Sequence, residues 1–144
     1  MVDIEALQKY SLFGGVTPEE IDLIRPLLGS ASFAAGDTVQ REGEPNDRIY
    51  FIMEGEVEVS KRGVSLVRLS EGDTFGEMEF LDVMPSAATV RALVPTAVAT
   101  ISNHCFHQIF KMDARIFAMM VMNLARDLSR HLRRMDELMA RRSP

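Results

Sequence analysis

The chain has 144 residues, 47% of them hydrophobic and 26% charged, and a formal net charge of −5. That is enough for one domain with its own core, and it excludes a disordered or fibrous protein. A single cysteine, Cys105, rules out an internal disulfide. With no basic-then-apolar leader and no apolar run near the roughly 18 residues of a membrane span, the expected compartment is the cytoplasm.

Charge is unevenly spread. Residues 113–144 hold seven arginines against four acids, a net +3, so the first 112 residues sum to −8. A basic end attracts nucleic acid, but the plainer reading is a solvated helix face that pairs with acids of this chain or a partner.

In chain order, residues 3–9 read as a short amphipathic helix with Ile4, Leu7, Leu12 and Phe13 turned inward, broken at Gly14-Gly15. Thr17-Pro18-Glu19-Glu20 is a helix start: Thr17 at the N-cap, Pro18 at the first position, Glu20 closing a capping box. Ile21, Ile24, Leu27 and Leu28 form its buried stripe. Pro26 distorts its last turn, and Gly29 ends it.

From residue 30 the period changes to alternation. Candidate strands are 31–34, 38–41, 48–54, 56–61, 64–69, 87–92 and 96–101, most of them separated by glycine, proline or Asn-Asp turns. Short, evenly punctuated strands predict a sandwich or jelly-roll. Ile49, Phe51, Val57, Val59, Leu66, Val90, Val98 and Ile101 are its expected core.

After the strands, Ser102 or Asn103 caps a helix to about Lys111. Asp113 opens a long final helix to about Ala140. Phe117, Val121, Leu124, Leu128, His131, Met135 and Leu138 recur at spacings of four and three, a heptad seam suited to a second copy of the helix. The six methionines between 112 and 139 are read as core.

One stretch organises the whole: Phe75-Gly76-Glu77-Met78-Glu79-Phe80-Leu81-Asp82-Val83-Met84-Pro85-Ser86-Ala87-Ala88-Thr89-Val90. It reads as a tight turn, one short helix (77 to about 82), a second turn and a strand. Gly76, lacking a Cβ, permits close backbone approach. The N–H groups at the helix start, and those around the small residues Ser86-Ala87-Ala88, suit an anion. Glu77 suits a sugar hydroxyl.

This stretch resembles the phosphate-binding cassette of cyclic nucleotide-binding domains, as in protein kinase A regulatory subunits and catabolite activator proteins. Phe75-Gly76-Glu77-Met78 and Ala87-Ala88-Thr89-Val90 match the family pattern with its internal spacing. Turns at Gly36-Asp37, Glu42-Gly43-Glu44-Pro45 and Glu54-Gly55-Glu56 agree in order, so the similarity runs over roughly residues 10–140. The resemblance implies a mainly β fold: an eight-stranded jelly-roll with N-terminal helices (1–29), a β-roll (30–102) carrying the cassette (75–90), and C-terminal helices (103–144), all one domain.

It further implies a ligand site of Phe75, Gly76, Glu77, Met78, Ser86, Ala87 and Ala88. Gly76 and Glu77 face the ribose, the Ala87 amide faces the cyclic phosphate, and His131 on the last helix lies near the base. The ligand so implied is cAMP or cGMP, and the last helix forms a homodimer. Two positions depart from the pattern. Ser86 stands where the family has its phosphate-pairing arginine, and Glu79 where it has a small residue. Losing a charge-assisted bond costs on the order of tenfold to a hundredfold in affinity.

Other candidates are weaker. His104, Cys105 and His107 lie close together but lack further ligands, so surface histidines are the preferred reading and no metal is expected. His131 is either a ligand contact, a pH-sensitive dimer group or a half-exposed histidine with an ordinary hydrogen bond, and the last is preferred. No nucleophile with a base, no metal-ligand spacing and no P-loop is found, so the chain is read as regulatory, not catalytic.

Three functions stay open. The first is weak cAMP or cGMP binding, signalled through the last helix by motion of helix 77–82 and a hinge near Met112-Asp113. The second is a nucleotide-deficient dimeric interaction module, or a sensor of another small ligand, with an unknown protein partner. The third, DNA binding through the terminal arginines, is the weakest, because no recognition helix is present. On this reading the output passes through a partner protein, or the chain is a fragment of a larger one.

Overall fold

The structure, a computed structural model, describes residues 4–142. Two helices, α1 (Ile4–Gln8) and α2 (Pro18–Ile24), precede eight strands: β1 (Gly29–Phe33), β2 (Thr38–Gln40), β3 (Arg48–Glu54), β4 (Glu56–Lys61), β5 (Val64–Ser70), β6 (Thr74–Phe75), β7 (Thr89–Ala92) and β8 (Thr96–Ser102). Helix α3 (Glu77–Asp82) lies between β6 and β7, and α4 (Asn103–Met112) and α5 (Ala114–Arg142) close the chain. The expected helix over 3–9 begins, among the described residues, at Ile4.

The strands form two antiparallel four-stranded sheets, ordered β1-β8-β3-β6 and β2-β7-β4-β5. This is a jelly-roll with flanking helices. The two sheets differ in what covers them. On β3, Ile49 and Phe51 face a core shared with the helices, while Tyr50 and Ile52 face the interior of the roll. β3 is therefore buried on both faces and reads as a continuous apolar run. The second sheet turns Val57, Val90 and their neighbours Val39, Val59 and Leu69 inward.

Leu66, expected in the core, is 57% exposed. Register is the reason. Leu69 stands opposite Val57 and Val67 opposite Val59, so residue 66 alternates to the outer face together with Arg68. β6 was not foreseen: it is two residues long, pairs Phe75 with Tyr50 and Thr74 with Phe51, and hides inside turn-forming sequence. The expected strand 87–92 begins at Thr89, because Ala87 and Ala88 form a bend.

The N-terminal signals are realised. Thr17 Oγ1 accepts from Glu20 N–H, and the Glu20 carboxylate accepts from Thr17 N–H. Gly29, however, does not end α2. The helix stops at Ile24, a 3-10 turn over Arg25–Leu27 carries Pro26, and Gly29 opens β1 opposite Thr100. A Cβ there would lie 2.5 Å from Thr100 Oγ1, so the glycine serves strand packing.

Ser102 is the N-cap of α4, accepting from Cys105 N–H. Asp113 then breaks the helix in an extended conformation, and its carboxylate accepts from the N–H groups of Arg115 and Ile116 to start α5. The first half of α5 is docked through Ile116, Met120, Asn123 and Leu124, at spacings of four, three and one. Every residue from Ser129 to Arg142 is exposed.

The heptad seam read from sequence is thereby corrected. Leu124 is buried in the chain's own core, and Phe117 packs on Phe106 and Phe110. The methionines are corrected too. Met120 is buried and Met119 packs half-buried against the helix-side core, but Met112, Met122, Met135 and Met139 are all exposed.

Candidate ligand site

The cassette is held at both ends by the roll. Phe75, at the end of β6, stacks on Tyr50 with ring centres 4.7 Å apart. Gly76 follows in the left-handed region, at φ 90°, and caps α3. Phe80, one turn on, points into the helix-side core against Phe106. Val83, also left-handed at φ 58°, ends α3. A β-branched residue there is uncommon and fixes an abrupt exit from the helix.

The return segment is pinned by backbone. Ser86 N–H donates to Glu44 O at 2.9 Å, and Gly43 N–H donates to Ser86 O at 2.9 Å. Thr89 Oγ1 accepts from Glu42 N–H. The turn over residues 42–44 and the cassette therefore move together.

Under this return segment lies a polar cluster. Glu79 is 5% exposed, and its Oε1 accepts from the Ala87 N–H at 2.8 Å and from Gln40 Nε2 at 3.1 Å. Ser86 Oγ and Gln40 Oε1 are both buried without a hydrogen-bond partner among the described residues. The sequence marked Glu79 as a departure. It gave no sign that the carboxylate binds the Ala87 amide, nor that Gln40, remote in the chain, joins it.

Glu77 is half-buried. Burial raises its carboxyl above the ordinary 4.5, a hydrogen bond with Thr74 opposes the shift, and the charges of Asp127 and Glu79 add to it. An acid whose folded pKa is raised holds its proton in the folded state after the unfolded chain has lost it. Its contribution to stability is full below pH 4.5 and falls as pH rises to the elevated value. Glu77→Gln is therefore expected to melt higher than the natural chain at pH 7 and to converge with it below pH 4.5, as thermal denaturation against pH will check.

Of the residues expected at the site, Phe75, Gly76, Glu77, Ser86, Ala87 and Ala88 lie in or beside this cassette. Met78 is 50% exposed and belongs, with Leu81, Val83 and Met84, to an apolar outer face. His131 lies on the exposed half of α5. Asp127, also on α5, adds to the rise at Glu77, and its carboxylate accepts from Ser11 Oγ at 2.5 Å and pairs with Arg130.

Arg91 alternates with the inward Val90 and Ala92 and is exposed, directed away from the roll interior. His104 and His107 are exposed, whereas Cys105 is buried and its thiol is pushed up to about 11. Among the described residues, no group of three or more His, Cys, Asp or Glu is placed to hold a metal ion.

The sequence profile of the cyclic nucleotide-binding domain matches residues 30–113, more than half of the chain. The chain belongs to the cyclic nucleotide-binding domain family. The domain is 34% identical over 104 residues to a cAMP-dependent protein kinase regulatory subunit of Debaryomyces hansenii, covering 72% of this chain and 23% of that protein. It is 34% identical over 103 residues to a CRP-like cAMP-activated global transcriptional regulator of Mycobacterium tuberculosis, covering 68% of this chain and 45% of that one. It thus spans less than half the length of these relatives.

Among solved structures, a cyclic nucleotide-binding domain from Methylobacillus flagellatus has the same fold. It superposes with a TM-score of 0.84 at 23% identity, over 98% of this chain and 82% of the other. The two relatives matched by sequence are a regulatory subunit and a transcriptional regulator by name. No helix among the described residues of the domain is long and apolar enough to cross a membrane.

Proposed function

We propose that the domain is a cytoplasmic regulatory sensor, without catalysis of its own, that binds cAMP or cGMP weakly and signals through α5. The observation that carries this reading is the link between cassette and helix. Phe80 of α3 packs on Phe106 of α4, and Phe106 on Phe117 of α5, with ring centres 5.1 and 4.8 Å apart, so a ligand that shifts α3 changes what α5 rests on. Ser86, a buried neutral hydroxyl where the matching pattern has a fixed cation, contributes to the weakness.

The exposed half of α5 supports a homodimer. Val121, Ala125, Leu128, Leu132 and Met135 recur at alternating spacings of four and three, each exposed or half-exposed, and so form an apolar stripe along the outer side of the helix. A second copy of the helix fits it, since a heptad stripe matches itself by symmetry. Sedimentation velocity is expected to show a dimer, converted to monomer by Leu132→Glu with Met135→Glu. In the same preparations, calorimetric titration with cAMP and cGMP should give heat only at high ligand concentration, and none with Glu77→Ala.

A second reading keeps the dimer and gives up the nucleotide. The domain would then be an interaction module for another protein, or a sensor of a different small ligand. It is favoured by the two carboxylates, Glu77 and Glu79, that the cassette presents. Absence of any response to either nucleotide, with the dimer intact, would select it.

A further inference from the structure

We propose that Glu79 is the domain's own anion in the phosphate subsite, and that it, ahead of Ser86, sets the ligand specificity of the cassette. This deepens the reading above and rests on its claim that the cassette is the ligand site.

Three observations carry it. The Ala87 amide, which by resemblance faces a cyclic phosphate, already donates at 2.8 Å to the Glu79 carboxylate. That carboxylate is 5% exposed and is fixed a second time by Gln40 Nε2, so it is an ordered occupant, not a passing contact. The two polar atoms left over on Ser86, next to Ala87 in the chain, and on the same Gln40 amide are buried without a hydrogen-bond partner among the described residues, and neither carries a positive charge. A backbone N–H directs one strong bond. With Glu79 holding it, an incoming phosphate meets a negative charge in place of a donor.

Magnitudes rank the two departures. Losing an arginine pair costs on the order of tenfold to a hundredfold. Two unit negative charges in contact near a protein surface repel by enough to cost several hundredfold, on the order of what a 4 Å separation gives. Glu79 is the larger effect. An arginine introduced at 86 would also be neutralised by this carboxylate before it met a ligand.

The test is calorimetric titration of cAMP into the full chain and its variants. Ser86→Arg alone is expected to change affinity by less than about fivefold, whereas Glu79→Ala with Ser86→Arg should gain at least roughly a hundredfold over it. Glu79→Gln with Ser86→Arg keeps an acceptor for Ala87, guards against misfolding of the alanine variant, and should fall between the two. Full tightening by Ser86→Arg alone would overturn the inference while leaving the cassette as the nucleotide site. A double variant no tighter than Ser86→Arg would overturn it as well. In the natural chain, the Ala87 amide should be protected from hydrogen exchange with or without cAMP. Exchange at the rate of a free amide would contradict the Glu79 contact whatever the titrations give, and the cassette-to-α5 reading is judged separately, by the nucleotide response of the natural dimer.

Discussion

Gly76→Ala is expected to destabilise the domain by about 2–4 kcal/mol and to lower its melting temperature by roughly 10 °C. Gly76 sits at φ 90°, where a Cβ is strained by about 1–2 kcal/mol. The added carbon would also lie 2.6 Å from the Arg48 carbonyl oxygen and 3.1 Å from Asn46 Nδ2. Neither neighbour yields easily. Arg48 is paired to Ser102 in the sheet, and Asn46 Nδ2 donates to that same Arg48 carbonyl at 2.9 Å.

Gly72→Ala separates the two causes. Gly72 has φ 95° but nothing within 4 Å of its Cβ position, so only the conformational strain applies. Denaturant unfolding of both variants should show Gly76→Ala losing at least twice as much. Equal losses would mean that the close approach to β3 carries no energy. The sequence reads this glycine as room for close backbone approach; in the fold, two of the three atoms nearest its Cβ position belong to β3 and the third to Asn46 just before it.

Asn123→Ala is expected to cost about 2–4 kcal/mol and to loosen α5 from the body. Asn123 is 6% exposed, and its Nδ2 donates to the carbonyls of Leu12 and Gly14, both at 2.9 Å. Alanine would leave these two carbonyls without their donor in a largely buried contact, and it is this unmet desolvation that makes the change costly. Met122→Ala, beside it but 51% exposed, should change stability by no more than about 0.5 kcal/mol. Faster amide exchange in residues 114–128 of Asn123→Ala, with the sheets unaffected, is the signature of α5 releasing first. If α5 transmits the state of the cassette, this variant should also uncouple its seam from ligand.

The elements that local chemistry governs were legible in advance. Thr17, Pro18 and Glu20 specify a helix start within four residues. The segment 48–54 reads as a strand because its residues fill two cores, and helix 77–82 follows from Gly76 before it. Where the outcome depended on a remote partner, the sequence misled. Leu66 faces outward because β5 is registered by Leu69 against Val57. Leu124 joins the body, and not a seam between copies, because α5 docks with a face centred near Met120 and Asn123.

The cassette divides in the same way. Its order of turn, short helix, turn and strand, and its departures at Glu79 and Ser86, stand in the sequence itself, because spacing and residue type are local facts. That Glu79 reaches Ala87, eight residues on, and Gln40, thirty-nine residues back, is set only when β2 and the return segment close over α3. A carboxylate's partner is a property of three dimensions, since the hydrogen bond acts over about 3 Å, whatever the distance along the chain. The sequence by itself determined the jelly-roll and the cassette pattern at residues 75–90. Only the tertiary structure decided that the Ala87 amide goes to the Glu79 carboxylate.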